Sequence, residues 1–399
     1  MAKKVIVAMS GGIDSSVAAA LLKRAGFNVI GVFMRFWRPP EKNGLRGSWN
    51  RCCSPEAESR ARKVAEILKI PFYVFNFEKE FKKKVVDYFL ENYKLGLTPN
   101  PCVVCNKEIK FGLLLEKVLK LDADFISTGH YAKIRKFVNH SPYSYGLGPA
   151  LINKGGGSKQ IRYSLISAKD KNKDQGYFLW MLNQKQLKRI LFPIGDYTRK
   201  EVENLARKFK LSFLLKVPKS MEICFIQTTV NDFLKKYLKP KPGQIICSKP
   251  DLEQRERQVL GQHQGLAFYT IGQRKGIGLA AGPYWVLKKD LTRNILVITK
   301  DKKALYKREL LVKNINWISG KEPKLPLKIK AKIRYRHQPA FATITYKSKL
   351  RTYKLNFYKP QRAITPGQSA VFYSPSQIFK KNLRGRGGNE LIGGGTIIQ

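Results

Sequence analysis

The chain has 399 residues, of which 43% are hydrophobic and 26% are charged. This length predicts two or three domains, and the composition is ordinary for a folded globular protein. Seventy-six lysines and arginines stand against 28 acidic residues, a net charge of +48. Such a charge favours a polyanionic partner, with nucleic acid as the first candidate, although a general bias of the source proteome would give the same excess.

The sequence contains no apolar run of membrane-spanning length, and no secretory signal precedes the first strand pattern at residue 5. We therefore expect a cytoplasmic protein with no membrane partner. In that compartment cysteines favour thiol chemistry or metal binding over structural disulfides. The six cysteines are Cys52, Cys53, Cys102, Cys105, Cys224 and Cys247.

A glycine turn near the N-terminus joins a strand pattern to a helix pattern. The apolar run Val5–Met9 leads into Ser10–Ser16 (SGGIDSS), and a helical pattern follows at Val17–Ala25. Backbone N–H groups at such a turn bind anions, and glycines let a phosphate approach the backbone closely. The turn is thus a candidate phosphate-binding loop.

The loop lacks the Gly-Lys-Ser/Thr ending of a Walker A motif and carries Asp14 instead. A carboxylate at a phosphate site implies a bridging Mg²⁺ ion. The string resembles the PP-loop of ATP pyrophosphatases. This resemblance implies a reaction that splits ATP into AMP and pyrophosphate.

Strand and helix patterns alternate through residues 1–135, which predicts an α/β domain with a parallel sheet and helices on both faces. Ligands of such sheets bind beyond the carboxyl ends of the strands, where the glycine loop lies. The predicted strands cover 29–36, 71–77 and 124–127, and the predicted helices cover 54–69, 79–93 and 107–120.

The pattern changes after the first domain. Residues 137–160 predict a glycine-rich excursion, a long hairpin, before helical patterns return at 175–190 and 198–210. From about residue 286, short alternating strands with frequent turns indicate a small β-barrel or sandwich. We therefore expect domains at 1–215, 216–285 and 286–399.

A Cys-x-x-Cys turn, Cys102 to Cys105, follows two prolines that fix its backbone. The next segment is helical, so we expect Cys105 near a helix N-terminus, where a thiol pKa falls. Half of a structural zinc site is the alternative, but the sequence offers no second Cys-x-x-Cys or His-x₃-His to complete it. Cys224 taken alone would be a small core residue.

Together these strings resemble one family closely, the tRNA-specific 2-thiouridylases, over nearly the whole chain. The family implies a PP-loop domain, a small central domain and a C-terminal β-barrel. The matching strings are Ser10–Ser16, Ile70–Val74, Thr98–Asn106, Ile109–Gly112, Thr128–Ala132, Lys173–Gln175, Ile223–Ile226, Tyr269–Gly276, Arg334–Arg336 and Thr365–Val371.

The resemblance implies adenylation of the O2 of uridine 34 in tRNAs of the Glu, Gln and Lys type. Cys224 then carries a persulfide delivered by a cysteine desulfurase or a sulfur-relay protein. Cys105 is the nucleophile that releases the terminal sulfur or holds a covalent intermediate, and the two cysteines form a transient disulfide. ATP is expected on Ala8, Met9, Ser10, Gly11, Gly12, Ile13, Asp14 and Ser15, with Met34 and Gly129 near the adenosine.

The same resemblance implies a pocket for the target base and a set of tRNA contacts. Asn100, Pro101 and Cys102 line the base pocket, into which the uridine must unstack. Many relatives hold Asp where this chain has Cys102, which puts an acid–base role at that position in doubt. The implied tRNA contacts are His130, Lys173, Asp174, Gln175, Arg334, Tyr335 and Gln368.

Three alternatives remain open from the sequence. Cys102, Cys105 and Cys224 offer three ligands to a [4Fe–4S] cluster whose fourth iron would bind sulfide. An ammonia-using ligase of the GMP synthetase or tRNA-lysidine type shares the loop but needs no cysteine set. A basic RNA-binding protein with an inactive nucleotide fold would need neither Asp14 nor the cysteines.

Overall fold

A computed structural model describes residues 2–39, 54–139, 160–217, 223–248, 258–348, 352–375 and 388–398. The helices are α1 (Ile13–Arg24), α2 (Pro55–Ile67), α3 (Glu78–Phe81), α4 (Asp87–Lys94), α5 (Pro101–Val104), α6 (Leu114–Leu119), α7 (Gln184–Leu187), α8 (Arg199–Lys208) and α9 (Val230–Tyr237). π-Helical turns at Lys82–Val86 and Cys105–Leu113 join α3 to α4 and α5 to α6.

The strands fall into three sheets. They are β1 (Lys4–Ala8), β2 (Asn28–Arg35), β3 (Phe72–Asn76), β4 (Phe125–Thr128), β5 (Ala132–Asn139), β6 (Gln160–Ser167), β7 (Ile190–Leu191), β8 (Gly243–Cys247), β9 (Val259–His263), β10 (Trp285–Asp290), β11 (Ile295–Thr299), β12 (Tyr306–Trp317), β13 (Leu327–Lys332), β14 (Ala340–Ser348), β15 (Thr352–Arg362), β16 (Ser369–Tyr373) and β17 (Glu390–Ile397).

The N-terminal domain is built on a parallel sheet in the order β3-β2-β1-β4-β7. After Lys4, the central strand β1 is apolar and buried because both of its faces are covered. Ile6 and Ala8 pack into the core on one face, and Val5 and Val7 pack into a second core on the other. The parallel α/β architecture predicted from the sequence is confirmed, and the glycine loop follows the carboxyl end of β1.

The central domain contains a four-stranded sheet in the order β10-β11-β8-β9. Here the structure differs from the sequence-based division at residue 286, because β10 and β11 pair with the central strands. Alternating strand patterns alone do not reveal which sheet a strand joins. The C-terminal barrel therefore begins after Thr299.

The C-terminal domain is a closed barrel, as the sequence predicted. Strands follow the order β12-β15-β14-β13-β16-β17, and β17 returns to pair with β12. The hairpin β5–β6 of the N-terminal domain extends this sheet through the pairing of Leu165 with Leu391. Its two strands flank the expected excursion, of which residues 140–159 lie outside the described residues, as do Cys52 and Cys53.

Buried polar contacts fix the N-terminal domain on the barrel. The Trp180 indole N–H donates to Ser369 Oγ at 3.0 Å, and the Tyr177 hydroxyl donates to the Ser369 carbonyl at 2.9 Å. Gly394 lies against the Trp180 ring, where a Cβ would come within 2.8 Å. Because these groups are desolvated, leaving one partner unpaired would cost about 1–3 kcal/mol.

A substitution at Gly367 tests whether the close approach of the barrel to the N-terminal domain at Thr98 requires glycine. Its φ is +91°, and a Cβ there would come within 2.8 Å of the Thr98 nitrogen. We expect Gly367→Ala to lose about 1–2 kcal/mol from backbone strain and about 1–3 kcal/mol more from crowding.

Gly320→Ala is the matched control, because Gly320 has a φ of +79° but no neighbour within 4 Å of the position that a Cβ would take. The measurement is the thermal unfolding midpoint of both variants. Equal losses in the two variants would show that the approach to Thr98 carries no strain.

Candidate active site

The glycine loop is shaped by close backbone contacts. Gly11 has a φ of +67°, and a Cβ there would overlap the Ala57 carbonyl. Gly129, at the end of β4, faces the loop so closely that a Cβ would lie 2.5 Å from the Ser15 nitrogen. No side chain caps Gly12 at the start of α1, so the first N–H groups of this helix have no side-chain acceptor and suit an anion.

Serine hydroxyls stiffen the loop. Ser15 Oγ donates to the Gly12 carbonyl at 3.1 Å and accepts from the Ser10 N–H at 3.2 Å. From α2, the Arg60 guanidinium donates to the Gly11 carbonyl at 3.1 Å. The loop conformation is thus held by the protein itself, which reduces the ordering cost of binding a ligand.

Asp14 is the centre of the loop's electrostatics. Its Oδ1 accepts from the Tyr131 hydroxyl at 2.8 Å and from Arg199 Nη1 at 2.9 Å. Burial raises the pKa of the Asp14 carboxyl, and the charges of Arg199 and Lys173, with the Tyr131 hydroxyl, oppose that rise. Two cations beside one carboxylate form a setting that suits phosphate.

Arg199 is positioned by its own helix. It is the first residue of α8, where Thr198 and Glu201 form a capping box. Glu203 accepts from Arg199 Nε at 2.8 Å, and Asp170 accepts from the Arg199 backbone N–H at 2.9 Å. The guanidinium is therefore held toward Asp14 from two sides.

The run Lys173–Gln175, expected to contact tRNA, lies beside this loop. The charge of Lys173 acts on Asp14, lowering its pKa against the effect of burial. Asp174 is buried and accepts from the Ala168 N–H at 2.8 Å. Gln175 exchanges two hydrogen bonds with the Tyr131 backbone, at 2.8 and 2.9 Å. Asp174 and Gln175 thus support the strand ends at the nucleotide site, and their tRNA contact stays a prediction.

His130 is buried in an aromatic slot. Its Nδ1 lies 2.7 Å from Thr128 Oγ1, and its ring lies between Phe111 and Phe192, with centroids at 5.9 and 5.7 Å. Burial holds the pKa of His130 well below its ordinary value. The imidazole is therefore neutral at physiological pH, and the expected tRNA contact is untested.

The thiol segment departs from expectation at Cys105. The helix begins at Pro101, capped by Asn100, whose Oδ1 accepts from the Val103 N–H at 3.4 Å. Cys105 therefore lies a full turn inside the helix, and Cys102 occupies the first turn. Since the effect of the helix dipole falls off beyond the first turn, it acts on Cys102 more than on Cys105. The sequence pattern of the two prolines indicates a turn. The second of them, Pro101, is instead the first residue of the helix, a position that proline favours.

Cys105 and Cys224 border the same hydrophobic core. Cys105 is buried in it together with Met34, and Cys224 packs against it from a partly exposed position. Phe225 anchors the Cys224 segment by ring contacts with Phe89 and Phe233, both at 5.3 Å between centroids. Residues 218–222, which precede this segment, lie outside the described residues.

All three domains meet at Thr98, just before the thiol segment. The Thr98 N–H donates to the Pro366 carbonyl, and Gln368 Nε2 donates to the Thr98 carbonyl, both at 2.9 Å. Thr270 of the central domain lies 3.5 Å from Thr98, between hydroxyl oxygens. Gln368, expected to contact tRNA, therefore also holds the base-pocket segment to the barrel.

Arg334 and Tyr335 of the barrel also lie at contacts between domains. Arg334 Nη2 donates to the carbonyls of Ile271 and Ala363, at 2.9 and 3.0 Å, and to Thr365 Oγ1 at 2.5 Å. The Tyr335 ring packs on Phe178 with centroids 4.6 Å apart. Both residues link domains, and their contact with tRNA stays a prediction.

Three residues of the site, Tyr131, Arg60 and Arg199, are not predicted by the sequence patterns. The capping box Thr198–Glu201 announces the start of α8, but nothing in a single sequence shows that this helix end faces Asp14. Contacts across 117 and 185 residues of chain, as Asp14 makes to Tyr131 and Arg199, come from tertiary structure alone.

Family models match the chain in three consecutive parts. Residues 3–228 match the tRNA methyl transferase HUP domain, residues 231–300 its PRC-barrel domain, and residues 307–397 the aminomethyltransferase beta-barrel domain. The fold and these matches define a three-domain protein with an N-terminal HUP domain and two β-domains.

Curated relatives match over nearly the full length. The chain is 42% identical over 396 residues to the tRNA-specific 2-thiouridylase MnmA of Carboxydothermus hydrogenoformans, covering 99% of this chain and 97% of that protein. It is 44% identical over 393 residues to MnmA of Moorella thermoacetica, covering 98% of both chains, and 40% identical over 400 residues to MnmA of Roseiflexus castenholzii, covering 99% of both. The chain belongs to the tRNA-specific 2-thiouridylase family.

Arg199→Ala tests the charge balance at the loop. Removing a charge-assisted donor costs about 1.5–3 kcal/mol, so we expect ATP affinity to fall by about tenfold or more. Arg199→Lys should retain part of the ATP affinity, because lysine keeps the positive charge but lacks the paired N–H donors of the guanidinium. Calorimetric titration with ATP and Mg²⁺ measures the change.

Arg207→Ala, on the exposed side of the same helix, is the control and should bind ATP as the wild type does. Equal ATP affinity in Arg199→Ala and the wild type would contradict a role for Arg199 in binding ATP at the glycine loop.

His130 gives a pH dependence of stability. Its pKa is lowered in the folded protein, so below its ordinary pKa of about 6.5 the unfolded chain binds the proton first. The contribution of His130 to the free energy of unfolding is therefore fully present above about pH 6.5. It falls as the pH is lowered, by about 1.4 kcal/mol per pH unit, until the folded protein also binds the proton. Urea unfolding at pH 7.5 and 5.5 should show a smaller acid loss in His130→Gln than in the wild type. An unchanged loss would mean that the imidazole is protonated in the folded state.

Proposed function

We propose that this chain catalyses the synthesis of 2-thiouridine at position 34 of tRNA, consuming ATP and releasing AMP and pyrophosphate. The observation that carries the proposal is the placement of Cys105 and Cys224 on one hydrophobic core with Ala8 and Met34 of the expected ATP site. The names of the relatives, tRNA-specific 2-thiouridylases, support the same substrate class.

ATP would lie on residues 8–15, with its phosphates at the uncapped start of α1. Lys173 and Arg199 would neutralise the charge of the phosphate oxygens. Asp14 would bind Mg²⁺ together with those phosphate oxygens. A single carboxylate plus substrate phosphates is an ordinary Mg²⁺ site, so the residues present fit this ion. The ion would supply charge neutralisation as pyrophosphate leaves.

The first chemical step would transfer AMP to the uridine O2, turning that oxygen into a leaving group. The uridine would enter the pocket lined by Asn100, Pro101 and Cys102 after leaving its stack. Thr98, held by the barrel and the central domain, fixes the entrance to this segment. A pocket set by three domains would align O2 with the phosphate.

The second step would deliver sulfur from a Cys224 persulfide. In one order of events the terminal sulfur attacks C2 and AMP leaves with the C2–O bond pair. The Cys105 thiolate then attacks Cys224 Sγ, the persulfide S–S bond breaks, and its electron pair stays on the sulfur bound to the base. The products are 2-thiouridine and a Cys105–Cys224 disulfide, which an external thiol must reduce. In the other order Cys105 releases the terminal sulfur first.

The three-cysteine cluster considered from the sequence stays an alternative that this proposal does not use. Within the described part of the chain, which includes Cys102, Cys105 and Cys224, no three His, Cys, Asp or Glu side chains converge to hold a metal ion. The proposal therefore carries no step through an iron–sulfur centre.

The partners follow from the reaction. tRNA of the Glu, Gln or Lys type is the proposed substrate, and the net charge of +48 suits its phosphates. A cysteine desulfurase or a relay protein is the proposed sulfur donor. No helix among the described residues combines the length and apolarity needed to cross a bilayer.

Nucleoside mass analysis tests the reaction. Unmodified tRNA for Glu is incubated with the protein, ATP, Mg²⁺, a persulfide donor and a thiol reductant. We expect 2-thiouridine at position 34 and equimolar AMP with the wild type, and no 2-thiouridine with Cys105→Ser or Cys224→Ser, since each removes a sulfur from the transfer chain.

Cys247→Ser is the control, because Cys247 lies partly exposed in β8 of the central domain; it should retain full activity. AMP formation without thiouridine would favour another nucleophile, as in the ammonia-using ligases. Binding of tRNA with neither product would favour a non-catalytic RNA-binding protein.

A further inference from the structure

One outer face of the C-terminal barrel carries exposed aromatic rings. On β14 and β15, Ala342 pairs with Phe357 and both point into the barrel core. The adjacent residues Phe341 and Tyr358 therefore point outward, and 49% and 52% of their surfaces are exposed. Their rings are nearly parallel, at 19°, with centroids 6.4 Å apart.

A lysine completes this surface. Lys330 of β13 is the register partner of Phe341, and its ammonium lies 4.8 Å from the centre of the Phe341 ring. An ammonium over an aromatic face is a favourable cation–π arrangement. Lys330, Phe341 and Tyr358 thus form one continuous row across three strands, which we call the aromatic row.

Polar and basic groups border the aromatic row. The neighbouring register row carries Lys328, Thr343, Asn356 and Glu309, whose carboxylate is paired with Lys354. On the other side, Pro360 lies two residues from Tyr358 and lines an open hollow of about 480 Å³ with Lys302, Lys303 and Tyr306. The rings therefore lie between mixed polar groups on one side and two lysines on the other.

We propose that the aromatic row is a stacking platform for unpaired nucleobases of the RNA substrate, with Lys302 and Lys303 taking the adjoining phosphate. Exposed aromatics on a β-sheet with flanking cations are the chemistry by which proteins hold single-stranded RNA. The charge of the chain selects a polyanion over an apolar partner. The inference rests on the proposed function for the identity of the RNA as tRNA, but not for the stacking itself.

The platform lies outside the proposed reaction site. The barrel meets the N-terminal domain at Ser369 of β16, through Tyr177 and Trp180, whereas Phe341 and Tyr358 lie on β14 and β15 and stay exposed. A base bound here would be one that stays unmodified. The platform would orient the tRNA by an unpaired segment, while uridine 34 enters the pocket near Asn100.

Fluorescence anisotropy with labelled oligonucleotides tests the platform. The probes are a single-stranded uridine octamer and a blunt-ended RNA duplex without a loop. We expect the double variant Phe341→Ala/Tyr358→Ala to bind the octamer about tenfold or more weakly and the duplex as the wild type does, because only unpaired bases stack. The double variant Phe341→Tyr/Tyr358→Phe should bind the octamer like the wild type.

Tyr73→Ala is the matched control. Tyr73 is 56% exposed on the edge strand β3 of the N-terminal domain, so its loss should not change binding of either probe. Lys303→Gln should lower the salt dependence of octamer binding by about one counterion, since Lys303 is proposed to take a phosphate. Circular dichroism checks that each variant is folded.

The outcomes separate this inference from the proposed function. If wild type and the alanine double variant bind the octamer equally, the rings are a structural cross-strand pair and the platform is overturned, whatever the thiolation assay gives. If octamer binding falls in the double variant while the wild type forms no thiouridine from tRNA, the platform stands and the proposed function fails.

Discussion

Thr98 is the point on which the arrangement of the site depends. Its backbone is clamped on both sides by the barrel, through Pro366 and Gln368, while its hydroxyl meets Thr270 of the central domain. The loop that carries the expected base pocket starts two residues later. Domain interfaces of ordinary size permit relative motion, so a pocket formed between domains needs such a clamp. Gly367 is buried here because no larger residue allows the two backbones to approach so closely.

The second constraint is electrostatic. The carboxylate of Asp14 sits between Arg199 and Tyr131, so the loop carries its own counter-charge. Without a cation nearby, burial would drive this carboxyl toward its neutral form. The charge of Arg199 opposes this rise in the pKa of Asp14, and its hydrogen bond fixes the position of the carboxyl group. The anion site of the helix end and the cation site of the carboxylate are thus compatible.

The sequence predicted the helices and strands better than the tertiary contacts and strand pairings between them. The parallel sheet, the barrel and the strand-loop-helix around Gly11 follow from local patterns, which short-range sterics and burial determine. The assignment of β10 and β11 to the central sheet does not, because strand pairing is non-local. For the same reason the sequence does not reveal Arg199, nor that the side chains of Asp174 and Gln175 hold backbone near Tyr131.

The placement of Cys102 links the local and the tertiary levels. Asn100 and Pro101 start the helix one turn earlier than the cysteine spacing suggested, which puts Cys102 in the first turn and Cys105 in the core. The N–H groups of that first turn carry partial positive charge, which acts more strongly near Cys102 than near Cys105. Cys105 is instead buried among Met34 and its neighbours, so in the proposed reaction its sulfur would be kept away from water.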